Sequence, residues 1–193
     1  KNPNVLNSGS EAVTDGRYVS IQLFHSLMSM PDEGYEPRFD DPRVGYFLNY
    51  VNDMTETGTI NYRDMINRWR LEKKNPDQDL SEPVKPITWW IENSTPMEWR
   101  ETIRDGVLEW NKSFEKAGFK NALVVKVQPD DAEWDAGDVR YNVLRWTSSP
   151  NPPFGGYGPS MTNPRTGEII GADIMLEFVH FTNRVFYDKL VGD

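Results

Sequence analysis

Two histidines, His25 and His180, and the absence of cysteine limit what this chain can do by itself. A hydrolytic zinc site needs three protein ligands and an open position for water, and two of the ligands are commonly histidines one helical turn apart. Here the two lie near opposite ends of the sequence and no His-x-x-x-His occurs. The simpler expectation is His25 at a strand end and His180 in a terminal segment, with no shared metal. Without cysteine there is no disulfide, thiolate zinc site or thiol nucleophile. Oxygen ligands are more plentiful. Asp131, Glu133 and Asp135 match the first three acidic positions of an EF-hand loop and form a candidate Ca²⁺ loop. However, Ala136 stands where that loop needs Gly, and Asn142 where it needs Glu. A solvated acidic turn is the favoured reading.

Other chemistry is equally sparse. Gly158-Pro159-Ser160-Met161-Thr162 lacks the second Gly of a nucleophile elbow. Gly155-Gly156-Tyr157-Gly158 lacks the Lys-Ser/Thr that completes a phosphate loop. No spacing among the many carboxylates singles out an acid/base dyad. Trp89, Trp90 and Trp134 could form a carbohydrate platform, although Trp at such spacings more often packs in a core. No catalytic residue is therefore assigned from the residues themselves.

The scaffold reads more clearly. The 193 residues are 37% hydrophobic and 12% aromatic, enough to build a core. A formal charge of -9 without a Lys/Arg cluster argues against nucleic acid, and no apolar run is long enough for a membrane span. Residues 1–16 read as a loose arm and 17–80 as a β-rich N-terminal region. Within it, Arg17–Leu27 and Arg43–Met54 are expected strands, the second with Val44, Tyr46, Leu48 and Tyr50 on one face. Tyr62, Met65, Ile66 and Trp69 fit a helical face, with a strand as the alternative. The polar, Pro-rich segment 75–86 is the expected boundary.

Beyond it, Ile87–Glu92 predicts a strand. Thr95-Pro96-Met97-Glu98 reads as a capping box, opening one long helix that places Trp99, Ile103, Val107, Trp110, Phe114 and Ala117 on one stripe. Gly118 is its left-handed stop. Strands follow at Ala122–Val127, parallel to the first, and at Val139–Trp146. Next come a long Pro/Gly loop over 148–159, a brief strand at Ser160–Thr162, a turn at Asn163–Gly167, a strand at Glu168–Phe178 bent near Gly171, and a helical tail. The fold class is α+β: a twisted mixed sheet backed by one amphipathic helix.

Several stretches carry a resemblance. They are Arg43-Val44-Gly45-Tyr46-Phe47, Arg70-Leu71-Glu72-Lys73-Lys74, and Glu82-Pro83-Val84-Lys85-Pro86-Ile87 running into Trp89-Trp90-Ile91-Glu92-Asn93. Further on come the run from Gly106 to Gly118, Asp138-Val139-Arg140-Tyr141-Asn142 with Arg145-Trp146, Tyr157-Gly158-Pro159-Ser160, and Asn163-Pro164-Arg165-Thr166-Gly167-Glu168-Ile169. In series, from about Tyr18 to Glu177, these resemble the large bacterial zinc-dependent metalloproteases whose catalytic module is metzincin-like.

The resemblance implies that residues 81–193 are the upper, zincin-like catalytic subdomain and that the preceding region belongs to a larger N-terminal domain. It implies zinc in the full-length protein, an extracytoplasmic location, and as partners the remainder of the catalytic domain and a peptide or protein substrate. The family motif His-Glu-x-x-His-x-x-Gly-x-x-His is absent from this sequence. No zinc ligand or general-base Glu is carried over, and the chain alone is expected to be inactive. In such enzymes the substrate pairs with the edge strand of the sheet; by order along the chain, Gly171, Ala172, Asp173, Ile174 and Met175 are the expected edge. Apolar surface left open would permit dimers. The alternative is a non-catalytic protein- or glycan-binding or structural module on the same scaffold.

Overall fold

The computed structural model describes residues 20–31, 34–149 and 154–191, so the arm at 1–16 lies outside the described residues. The fold is α+β. Three short strands come first: β1 (Leu48–Asn49), β2 (Met65–Ile66) and β3 (Arg68–Trp69). Then follow β4 (Ile87–Ile91), α1 (Met97–Leu108), α2 (Asn111–Lys116), β5 (Leu123–Val127), β6 (Asn142–Thr147), β7 (Gly156–Tyr157), β8 (Ser160–Thr162), β9 (Glu168–Ala172), β10 (Ile174–Glu177) and α3 (Phe178–Val191).

Among the described residues, the main sheet runs in the order β5-β4-β6-β10-β7. β4 is parallel to β5 and β6, β10 is parallel to β6, and β7 alone is antiparallel. The expected parallel crossover from β4 to β5 is present. The register puts Ile87, Trp89 and Ile91 on one face with Leu123, Val125, Leu144 and Ile174. Ile103 and Val107 of α1 and Phe114 of α2 pack onto that cluster. Ile91 is fully buried and Leu144 nearly so. Side chains of this kind each contribute about 1.5–3 kcal/mol when taken from water. At the other end of the same face, Phe181 of α3 sits 5.3 Å from the Trp99 ring and 5.4 Å from that of Trp146.

The helix differs from its expected form in two ways. It breaks at Glu109–Trp110, where Trp110 N–H bonds Val107 O and Lys112 N–H bonds Glu109 O, a tightening of the turn. Asn111 explains the break: its side chain accepts from Leu123 N–H at 2.8 Å and donates to Leu123 O at 3.1 Å, tying α2 to the open edge of β5. Trp110 consequently turns outward and is 65% exposed, and Ala117 is exposed rather than on the stripe. Nor does the capping box form. The residue before α1 is Pro96, with extended backbone and no side-chain cap. Arg100 instead braces the turn before the helix, donating to Thr95 O at 2.8 Å and to Asn93 O at 2.6 Å. The stop at Gly118 is as expected, with φ 90°.

The N-terminal region holds less regular structure than its alternation suggests. Residues 20–31 form no strand; Ile21, Leu23, Phe24 and Leu27 are exposed, as is His25. Of Arg43–Met54 only Leu48–Asn49 forms a strand, paired with β2, with an isolated bridge from Asn52 to Tyr62, and Val44 and Tyr50 face water. At 61–74 the strand alternative holds rather than the helix. Alternation makes a strand only where a partner offers backbone groups, and here partners exist for two residues at a time.

The segment 75–86 is a hairpin rather than a free linker. Lys74 N–H bonds Glu82 O and Val84 N–H bonds Glu72 O, each at 2.8 Å, while fully buried Ser81 exchanges backbone bonds with Gly118 and Lys120. Just before it, β3 runs parallel to β9 in a second sheet ordered β3-β9-β8. Tyr35, under the guanidinium groups of Arg68 and Arg70, bonds Arg68 O at 3.1 Å. The N-terminal region thus contributes a strand to the sheet that holds β9.

Candidate functional site

The expected edge, Gly171–Met175, is an interior strand. Gly171 and Ala172 end β9, which lies between β3 and β8; Ile174 and Met175 begin β10, which lies between β6 and β7. The chain bends at Asp173, close to the expected position, and its two halves serve two sheets. The edge belongs instead to β7, in the Gly/Pro-rich stretch expected to be loop. Met175 pairs with Tyr157 and Leu176 with Gly156. Glu177 N–H bonds Gly155 O at 3.2 Å and Asp173 N–H bonds Pro159 O at 3.0 Å, so the pairing runs the length of 155–159.

Alternation fixes what this edge presents. Residues 155, 157 and 159 direct backbone groups toward β10, so the N–H and C=O of Gly156 and Gly158 point away from the sheet. Both positions are glycine, and both are exposed. A Cβ on Gly156 would come 3.1 Å from Met175 O, a tight contact that would require a small shift between β7 and β10. The result is a short antiparallel edge with outward backbone groups and little side-chain hindrance, suited to adding an extended peptide.

Two interior residues hold the strands behind this edge. Asn142 at the start of β6 donates to Thr88 O at 2.9 Å and accepts from Ala172 N–H at 3.0 Å, linking β4, β6 and β9. Asp173, at the bend, accepts from Val143 N–H at 3.0 Å. Burial pushes the Asp173 carboxyl above its ordinary range, against the opposing pull of that hydrogen bond and of Arg145. At the far end of β10, Glu177 is almost wholly buried. Burial would raise its pKa, but donors from Ser149 N–H, the Thr147 and Ser149 hydroxyls and Phe178 N–H outweigh that and hold it below the ordinary carboxylate range. No spacing within the sequence points to the role of Asn142 or Glu177; each role exists only once distant strands meet.

The remaining candidates are not assembled into sites. Among the described residues, no group of three or more His, Cys, Asp or Glu could hold a metal, so Asp131, Glu133 and Asp135 do not converge as a Ca²⁺ loop. Asp135 is used locally, accepting from Gly137 N–H at 2.8 Å. Trp89 is a core residue, and Trp134 stacks on Tyr141 at 3.9 Å with Trp90 edge-on to both, so these rings serve one another rather than forming an open platform. A cleft of about 450 Å³ opens between β3, β9 and the start of β4, lined by Trp69, Arg70, Trp90, Tyr141, Glu168 and Ile169. Of its two carboxylates, Glu72 and Glu168, the latter is already taken by Arg70 through bonds of 2.8 and 2.9 Å. No described helix is long and apolar enough to cross a membrane.

Comparison with known proteins adds one similarity. Residues 4–74 match a family model described as a domain of unknown function, DUF5117. The match ends a few residues beyond β3, in the first arm of the hairpin. No curated protein and no solved structure matches the chain.

Proposed function

We propose that this chain is a segment of a zinc-dependent metallopeptidase, supplying the sheet, the backing helices and the edge on which an extended substrate pairs. The observation that carries the reading is β7: one antiparallel edge on an otherwise parallel sheet, with the backbone of Gly156 and Gly158 turned outward. The family-like motifs support it, because they run through α1, β6 and this edge in order. The zincin-like arrangement, an extracytoplasmic location, and zinc and a general-base Glu supplied by the rest of the parent protein belong to the same proposal. The residues described here do not fit zinc. No step of hydrolysis runs through them, and the chain alone is inactive.

The test is a nuclear magnetic resonance titration of this chain with an extended, uncharged peptide. Shifts concentrated on the Gly156 and Gly158 amides are expected. A peptide that shifts neither amide, or that binds elsewhere on the chain, would overturn the pairing role.

A further inference from the structure

The cleft between β3, β9 and the start of β4 plays no part in the proposed function. Trp69, Trp90 and Tyr141 stand along it, each half-buried, together with Pro86, Ile169 and Ile170. Trp134 does not line the cleft, but it stacks on Tyr141 at 3.9 Å and meets Trp90 edge-on at 5.5 Å. Two of the three aromatic walls are therefore held in place before anything binds. Inside, Arg70 and Glu168 satisfy each other's charge through two bonds. At the rim, Lys85 is exposed and makes no ion pair among the described residues. A groove with aromatic walls and a charge-neutral interior suits an apolar, uncharged group better than an ion.

The chain itself shows which group. Pro31 lines the same cleft, although it lies far ahead of β3 in the sequence. From residue 20 to residue 31 no helix or strand forms, and only Met28 and Pro31 are not exposed. A cavity of about 450 Å³ stays open beside the proline. We infer that the cleft is a recognition site for an extended, proline-bearing peptide, with Pro31 as a weak occupant supplied by the chain. The proline ring fixes its own backbone angle, so little freedom is lost on docking. It has no N–H, so no donor is stranded against the aromatic walls. Extended proline segments dock in aromatic-lined grooves for these reasons. An acidic residue after the proline, as in the run Pro31-Asp32-Glu33 of this sequence, gives a peptide a partner for Lys85. Held by one proline and little else, the segment yields to a peptide that fills more of the cleft. This site is separate from the β7 edge, and neither rests on the other.

The test follows the indole N–H resonances of Trp69 and Trp90 during titration with a synthetic peptide that has the sequence of residues 26–33. Pro31→Ala alone should move both indoles and leave the core amides of Ile91 and Leu144 in place. The peptide should then shift both indoles of this variant, binding about tenfold more tightly than to wild type, whose own segment competes at high effective concentration. The same peptide with Ala for its Pro should bind about tenfold more weakly, having lost the ring methylenes that pack on the aromatic walls. A peptide without proline should leave both indoles unmoved, which keeps this site apart from the titration of Gly156 and Gly158. Peptide that shifts neither indole of Pro31→Ala would overturn the inference. So would equal affinity for wild type and variant, or equal affinity for the Pro and Ala peptides. Unfolding of Pro31→Ala would overturn it too, since the segment would then belong to the core.

Discussion

Arg70 grips Glu168 with two guanidinium nitrogens, Nε to Oε1 at 2.8 Å and Nη2 to Oε2 at 2.9 Å, across the seam where β3 meets β9. The Glu168 side chain is 8% exposed and that of Arg70 31%. The pair ties the segment matching DUF5117 to the β3-β9-β8 sheet, whose strand β9 runs on into β10, the strand that β7 pairs with.

Arg70→Ala should therefore destabilise the whole chain and not only its N-terminal region. Losing one partner of a well-buried pair costs about 3–5 kcal/mol, and access of water on the Arg70 side lowers the expectation to about 1–3 kcal/mol. Arg70→Ala/Glu168→Gln should recover part of the loss, because no charge is then stranded. Urea unfolding followed by Trp fluorescence reads both. Loss confined to residues before 75 would show that the seam carries no coupling.

Asp173 has the opposite electrostatics to Glu177. Its carboxyl is raised in the folded chain, so folding takes up protons between the unfolded and folded pKa values, and stability falls as pH rises through that window. Asp173→Asn keeps an acceptor for Val143 N–H and should be at least as stable as wild type at neutral pH, with the descent removed. Asp173→Ala leaves a buried N–H unpaired and should cost about 1–3 kcal/mol. Melting temperature against pH for the three proteins checks the order and the slope.

Gly118 closes α2 at φ 90°, and a Cβ there would lie 2.8 Å from Asp79 O. Gly118→Ala should cost more than the roughly 1 kcal/mol of an unfavourable backbone region alone, since the 75–86 hairpin must also move. A drop in melting temperature together with faster amide exchange at Ser81 is the expected result.

The sequence was most legible where order is local. The apolar stripe of α1, the ITWWI strand, the stop at Gly118 and the helical tail all follow from period and turn chemistry within a few residues. Legibility failed where pairing decides. Val44, Tyr46, Leu48 and Tyr50 alternate as a strand should, yet regular pairing is confined to Leu48–Asn49 and one isolated bridge at Asn52. Residues 155–159 carry no strand pattern at all and become an edge only because β10 lies beside them. The same reason hid Asn142 and Glu177, whose partners are about 30 or more residues away. By order along the chain alone, the strand that β7 covers therefore reads as the edge.

Zinc content measured together with peptide cleavage on one sample of this chain tests the central reading most directly. Far less than one zinc per chain and no cleavage are the expected results. One tightly held zinc on this chain, with turnover, would contradict it.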